Sequence, residues 1–577
     1  MNSKTEPQRL NPAGAAHSTP TTPLHTFLHW EQEQANVVWL TQPQADGTVV
    51  TYTWAEAGIM ARKIAAYIQS LQLPEQSNIV LIGQNAAEWI IADLAIWMSG
   101  HVSVPIYPTI NGKSFSYIVQ HSAAKLLIIG RMDENSASFQ EVAEAIASDT
   151  AIFCLPDAPH IKPLQGAIQW QQIQTDYQPI ADIHLRDREA LATIVYTSGT
   201  TGEPKGVMHC FRSICAPCEF PEVYLPSSSD DRVLSYLPLA HIGERVAVEI
   251  PSLYFGFQIY FNYSLATFPA DLKRARPTSF FSVPRLWTKF YQAVNAKLPP
   301  WKQRILFALP FISKRIKKKI LEGMGLDHAR LGMTAAAPLA AEIVSWYRSL
   351  GLELIELFGM TENAATSHGT RVGQITPGFV GFPHPGVECR LDDSGEILVK
   401  SPGQMLGYYR QPEMTAACLT DDGFFRTGDK GVIDGKTKQL KITGRVKDLF
   451  KTAKGKFVAP VPIENELGAH QGIETVCVTG RGHPQPFALV TLSPEVQHSS
   501  EAERTAIESD LAMLLEHTNA HLEDHEQLSF IAIGSTPWTV ELGLVTPTLK
   551  VKRDCIDEYY EPKIGQWFAA KKPVVWE

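Results

Sequence analysis

Residues 196–206 read YTSGTTGEPKG and close the apolar run Leu191–Thr197, LATIVYT. A continuous apolar run of that length suits a buried strand. The loop beyond it holds Gly199, Gly202 and Gly206, the hydroxyls of Thr197, Ser198, Thr200 and Thr201, and Lys205. Glycines let backbone N–H groups approach an anion closely, and the hydroxyls and lysine add donors and charge, so this is phosphate-handling chemistry. The GxxxxGK[ST] spacing of a Walker loop is absent. The loop is expected to open a helix carrying His209, Cys210, Cys215 and Cys218. A zinc knuckle would use such ligands but needs a second close pair to complete its tetrahedron, so these residues read as small buried side chains.

Working outward, strand-like runs at Ser77–Ile82, Val102–Ile106, Val233–Leu237, Ser279–Val283 and Leu352–Leu357 alternate with helical stretches such as Ala87–Met98 and Ala340–Leu350. That alternation is the pattern of layered α/β folds. After Gly381 short strands between glycine and proline turns take over, as at Gly395–Lys400 and Gln439–Thr443. Beyond Arg445 a fresh α+β pattern begins, with a long helix within Glu501–Leu522. The spacing predicts a disordered leader over 1–24, a large multi-layered α/β domain of sheets flanked by helices over 25–444, and a small α+β domain over 445–577.

Four further clusters carry candidate chemistry. ELFGMTE (Glu356–Glu362) ends a strand at Phe358 and Gly359, then offers Thr361 and Glu362 at the carboxyl edge of a sheet, where open α/β sheets bind ligands. An aromatic there can stack on a base, and a carboxylate beside phosphates can hold Mg²⁺. FRTGDKG (Phe425–Gly431) sets Asp429 between Gly428 and Lys430, to accept ribose hydroxyls or to close a turn. LKITGRVKDLFK (Leu440–Lys451) spans the predicted domain boundary. TPTLKVKR (Thr546–Arg553) places Lys550 between apolar neighbours.

Composition narrows the classes. Of 577 residues, 44% are hydrophobic and 19% charged, which excludes wholesale disorder. A formal net charge of −9 argues against a nucleic-acid binder. Eight cysteines in so long a chain make no disulfide framework and suit a reduced compartment. The first residues lack the apolar core of a signal peptide, and the most apolar stretch, Trp89–Val104, is interrupted by Asp93, Gly100 and His101. A cytoplasmic protein is the expectation. One segment admits a second: Ile305–Ile312 is apolar and is followed by Lys314, Arg315, Lys317, Lys318 and Lys319, which reads either as a solvated helix face or as a peripheral contact with the inner face of a membrane.

The five clusters, in this order, resemble the adenylate-forming superfamily of acyl-CoA synthetases, luciferases and peptide-synthetase adenylation domains, over about Phe27–Lys563. LPLAHIGER (Leu237–Arg245), SVPRLWTKF (Ser282–Phe290) and GRVKDLFKTAKGKFVAP (Gly444–Pro460) are similar to the long-chain fatty-acyl-CoA synthetase branch. The resemblance implies that Thr197, Ser198, Gly199, Thr200, Thr201, Gly202 and Lys205 grip the ATP phosphates, with Thr200 and Glu362 on Mg²⁺. It implies Phe358 and Gly359 against adenine, Thr361 at the α-phosphate, Asp429 and Arg445 at the ribose, and His241 at the acyl carboxylate. Lys550 would be the catalytic lysine and Lys447 the hinge of a mobile carboxy-terminal domain. Gly455 would pass the pantetheine arm of coenzyme A. Two departures stand out: TAAAPL (Thr334–Leu339) has Ala335 where the superfamily usually has glycine, and Trp287 is either a gate to an acyl tunnel or a core residue.

The implied reaction is activation of a fatty acid by ATP to acyl-adenylate, then transfer to coenzyme A. The alternatives are a ligase delivering the acyl group to an acyl carrier protein, and a non-catalytic acyl or nucleotide sensor. Chain length and oligomeric state are not set by the motifs.

Overall fold

In the computed structural model the described residues are 22–577, apart from 134–135, 147–149, 160–165, 198–202, 220–226, 338, 471, 494–500, 540–541 and 547–549. The first helix, Pro23–Glu33, begins inside the span expected for the leader, and Pro23 and Leu24 are buried in it. Helix Trp54–Ser70 starts where the sequence pattern T-x-x-E calls for it: Thr53 Oγ1 accepts from the Glu56 amide, and the Glu56 carboxylate accepts from the Thr53 amide.

The largest sheet has eight strands, ordered Gly407–Tyr408, Lys205–Cys210, Leu191–Thr197, Val102–Ile106, Asn78–Ile82, Leu126–Ile129, Ala151–Cys154 and Ile168–Gln169. Its central strands are parallel and buried throughout because both faces are covered. Alternate residues feed two cores: Ile79 and Leu81 one, Val80 and Ile82 the other.

The glycine-rich loop does not open a helix as expected. The chain returns along Leu191–Thr197 as the antiparallel strand Lys205–Cys210, with Thr197 opposite Lys205. Gly206 makes the close return possible, since a β-carbon there would sit 2.9 Å from Ile194 Cγ2. His209 and Cys210 therefore lie on a strand, and helix Phe211–Cys215 follows.

A second sheet sets Ser279–Ser282, Leu331–Thr334 and Glu353–Phe358 parallel, then adds His368–Gly369 and Phe382–Pro383 antiparallel. Ser282, Thr334 and Glu356 stand in register at one edge, and Phe358 extends beyond them. Trp287, on helix Pro284–Lys297, is fully buried; its Nε1 donates to the Met333 carbonyl (3.2 Å) and its ring lies edge-on to Tyr347. Of its two sequence readings, the structure supports the core one. A four-stranded antiparallel sheet pairs Phe425–Ile433 with Leu440–Arg445, bringing Asp429 opposite Arg445.

The carboxy-terminal part is a four-stranded sheet of Ile473–Thr479, Phe487–Leu492, Ile531–Gly534 and Val574–Trp576. Helices Pro460–Leu467 and Glu501–Asn519 cover one face through Ile463, Leu467 and Leu511, and helix Arg553–Ala570 covers the other through Ile556 and Tyr560. The two parts of the chain are joined by an ion pair of Glu474 with Arg285, with Lys289 also 3.6 Å from Glu474. No helix among the described residues is long and apolar enough to cross a membrane.

Candidate active site

The site assembles between strand ends and turns that the sheets hold in register. Thr197 and Lys205 mark the base of the phosphate loop; Ser198, Gly199, Thr200, Thr201 and Gly202 lie outside the described residues. The Lys205 ammonium sits 4.6 Å from the centre of the Tyr408 ring and 3.4 Å from its hydroxyl. That hydroxyl in turn donates to Glu362 Oε1 at 2.8 Å. Tyr408 thus ties a cation of the phosphate loop to the carboxylate expected to hold metal. Burial, and then the Glu362 charge, push the Tyr408 phenol far above its ordinary range, so it stays a donor. The sequence reading missed Tyr408. Its signal was the GYY of QMLGYYRQ, an aromatic after a glycine that adopts φ +144°.

Thr361 and Glu362 are fixed from the opposite side by His209. Its Nε2 lies 2.7 Å from the Thr361 carbonyl and its Nδ1 3.0 Å from Ser213 Oγ. A carbonyl only accepts, so Nε2 carries the ring proton. Complete burial lowers the His209 pKa to about 4, which keeps the ring neutral. Both nitrogens are committed, and Cys210, Cys215 and Cys218 are buried thiols. Burial raises the pKa of Cys215 and Cys218, which opposes the thiolate a zinc ligand needs.

Phe358 is buried and pairs with His368, their ring centres 6.0 Å apart. Gly359 has no room for a side chain, because a β-carbon would meet the Ala365 backbone at 2.4 Å. Two residues before Phe358, Glu356 is buried and accepts from the Leu339 amide at 3.5 Å. Burial raises its pKa to about 7. Leu339 ends the TAAAPL segment, where the strained residue is Ala336 at φ +75° rather than Ala335.

Arg445 Nε donates to Asp429 Oδ1 at 2.9 Å across paired strands. Burial raises the Asp429 pKa, while Arg445 and Lys550 oppose the rise. His241 caps a short helical turn, accepting from the Gly243 amide at Nδ1 (3.0 Å), so its proton is on Nε2. Burial first, then the Lys550 charge, lower its pKa to about 4. Beside it, Glu244 is buried and accepts from Ser235 Oγ (2.8 Å) and the Tyr236 amide (3.1 Å), fixing the strand that leads to His241.

Lys550 comes from the carboxy-terminal part, where the Thr546 amide donates to the Lys550 carbonyl and the Lys550 amide donates to Thr546 Oγ1. Its residue surface is exposed, yet its ammonium lies close enough to feel Arg445, Asp429 and Glu362, and desolvation lowers its pKa. Lys550, Glu362, Asp429, Arg445 and His241 are therefore one electrostatic cluster spanning both parts of the chain. Lys447 is exposed just past the last strand of the amino-terminal part. Gly455 turns at φ +77° between Phe450–Lys451 and Phe457–Val458, a hairpin that packs on the 480–483 turn.

A sequence profile described as AMP-binding enzyme matches residues 27–409, and one described as AMP-binding enzyme C-terminal domain matches 447–572. A peroxisomal long-chain acyl-CoA synthetase of Arabidopsis thaliana is 29% identical, over 92% of this chain and 83% of its own length. A long-chain-fatty-acid–CoA ligase of Mycobacterium bovis is 28% identical, over 93% and 95%. Among solved structures, the adenylation domain of a carboxylate reductase from Mycobacterium chelonae aligns with a TM-score of 0.80 at 22% identity, covering 96% of this chain and 92% of that one. An anthranilate CoA ligase in complex with anthranoyl-AMP aligns at 0.77 and 21%, covering 95% and 99%. At those identities the structural likeness speaks for the fold.

Proposed function

The chain belongs to the AMP-binding enzyme family, and from that premise we propose that it activates a long-chain fatty acid with ATP and passes the acyl group to coenzyme A. In the first half a carboxylate oxygen bonds to the α-phosphorus, the bond to the bridging oxygen breaks, and pyrophosphate leaves. In the second a thiol sulfur attacks the acyl carbonyl and AMP leaves.

What supports this reading is the geometry that ties Lys205 through Tyr408 to Glu362 and pairs Arg445 with Asp429, with Lys550 within electrostatic reach of both acids. Carboxylate and triphosphate repel each other, so bringing them together depends on positioning and on neutralising charge. Lys205 and Lys550 supply positive charge at the phosphates. Asp429 suits the ribose hydroxyls, with Arg445 holding its carboxylate in place. Neutral His241 offers an Nε2–H donor to an acyl carboxylate without needing to be protonated. Phe358, in the pocket wall, supplies an apolar face for adenine.

Glu362 fits a magnesium ion as a hard oxygen donor: Tyr408 occupies only one of its two carboxylate oxygens. With Thr200 it would hold the ion, whose chemistry is neutralisation of phosphate charge. Its partner Thr200 lies outside the described residues.

Lys550 cannot serve both halves from one place. The carboxy-terminal part must then turn, about the junction containing Lys447, to bring the Lys451–Phe457 hairpin to the thiol. Only four residues separate Leu440–Arg445 from Phe450–Lys451, so no insertion restrains that turn. This favours coenzyme A over a carrier protein as acceptor. ATP–pyrophosphate exchange against carboxylates from acetate to stearate, with benzoates, tests the substrate class; a maximum at benzoate or acetate would overturn the fatty-acid assignment. Comparing coenzyme A with acyl carrier protein tests the acceptor.

A further inference from the structure

Helix Pro300–Ala308 exposes most of its large apolar side chains, with only Phe307 half-buried against the core, while helix Pro310–Met324, which follows it, packs Ile320, Leu321 and Met324 on the core. The residue the first of them buries is polar: Gln303 donates to Asn295 Oδ1 (2.6 Å) and to the Leu298 carbonyl (2.7 Å), and accepts from Trp346 Nε1 (2.8 Å). Those three bonds hold the helix on the body of the protein. Its outer side exposes Trp301 (61%), Ile305 (58%) and Leu309 (41%), continued by Ile312 (47%) on the second helix. Trp301 and Ile305, four residues apart, share one face of the first helix, and Leu309 and Ile312 are exposed just beyond it, across the extended residue Leu309 that separates the two helices. A soluble helix ordinarily does the reverse.

The charge around that apolar patch is equally one-sided. Residues 297–321 hold eight lysines and arginines and no acidic residue, in a chain whose net charge is −9. Lys302, Arg304, Lys314, Arg315, Lys318 and Lys319 are exposed. Among the described residues the only carboxylate paired with any of them is Glu322, 3.9 Å from Lys318. Lys302 and Lys317 lie over the Trp301 and Phe307 rings, at 5.3 and 5.0 Å. An indole and aliphatic side chains fringed by unpaired cations match the boundary between acyl chains and anionic headgroups.

We propose that this helix pair is a docking surface for an anionic lipid bilayer, with Trp301, Ile305, Leu309 and Ile312 entering the headgroup boundary and the surrounding lysines and arginines held by lipid phosphates. An acidic soluble protein would complement the charge but not a protruding apolar patch, and a second copy of this chain would bring like charges together. The surface is independent of the catalytic reading, and it would place the enzyme where long acyl chains dissolve.

Flotation of the purified full chain with vesicles tests this. Phosphatidylcholine vesicles containing about one third phosphatidylglycerol should bind at least tenfold more protein than pure phosphatidylcholine, and 0.5 M salt should remove most of the difference. A Trp301→Ser, Ile305→Ser variant and a Lys314→Gln, Arg315→Gln, Lys318→Gln, Lys319→Gln variant should each lose binding at least tenfold. Both should keep wild-type melting and ATP–pyrophosphate exchange, since all six side chains are exposed. Equal flotation with both vesicle types, no flotation at all, or binding that survives both variants would overturn the proposal. So would a concentration-dependent dimer that the Trp301 variant abolishes, because it would assign the patch to a second copy.

Discussion

The imidazole of His209 holds the carbonyl of Thr361 at 2.7 Å, joining the strand that leaves the phosphate loop to the turn that presents Glu362. Two segments far apart in sequence are made one by a neutral, fully buried histidine. Its role is to position the Thr361–Glu362 turn.

His209→Ala removes that donor and leaves the buried Thr361 carbonyl with only the Ala364 amide, 3.1 Å away, at a cost of about 0.5–1.5 kcal/mol. Pyrophosphate exchange should fall by about 10- to 100-fold in kcat with little change in KM for the fatty acid. His209→Gln, which keeps an N–H donor, should recover much of the loss. Equal losses in the two variants, both folded by circular dichroism, would mean that the hydrogen bond to Thr361 is irrelevant.

Tyr408→Phe keeps the ring beneath Lys205 and deletes the hydroxyl bound to Glu362. With Glu362 less fixed, the magnesium concentration giving half-maximal exchange should rise several-fold, while the melting temperature moves little. An unchanged magnesium dependence contradicts the proposed part of Glu362.

Glu474 ties the two parts of the chain through Arg285 and Lys289. Glu474→Gln should weaken the arrangement that brings Lys550 to Asp429. A partly exposed pair of this kind contributes on the order of 0.2–1 kcal/mol, so adenylate formation should slow by up to about fivefold. Thioester formation from supplied acyl-adenylate should be unchanged or faster. Slowing of both halves alike argues against a contact specific to the first.

Glu356 gives a pH signature. Burial raises its pKa from the ordinary 4.5 to about 7, so the folded protein prefers it protonated. The stability this confers is complete below pH 4.5 and is lost as pH rises towards 7, by on the order of 3 kcal/mol. Glu356→Gln escapes the loss. Its melting temperature relative to wild type should climb between pH 5 and 7.5 and then level off; a constant difference would show that Glu356 is ionised throughout.

Much of this was legible in the sequence because the informative residues are local. LATIVYT reads as a strand whatever surrounds it, and Ala87–Met98, read as a helix, forms one over those residues. The direction of the chain after the loop was misread: Lys205–Cys210 is too short for periodicity to separate strand from helix, and pairing with Leu191–Thr197 decides it. His209 and Tyr408 were missed for the same kind of reason. Each acts on a partner over forty residues away, and only the folded sheets bring them to it. The inverted polarity of Pro300–Ala308 was likewise hidden, since Gln303 is recognised as the inner residue only through Asn295 and Trp346.

Lys550 bears on the central claim most directly, because it reaches Asp429 and Glu362 from the carboxy-terminal part. Lys550→Ala should be assayed on each half-reaction separately, with isotope-labelled ATP and a C16 fatty acid for the first and with supplied acyl-adenylate and coenzyme A for the second. The account predicts AMP and pyrophosphate from wild type, a loss of two or more orders of magnitude in the first half for the folded variant, and a second half near the wild-type rate. Release of ADP and phosphate by the wild type, or equal loss of both halves in the variant, would contradict it.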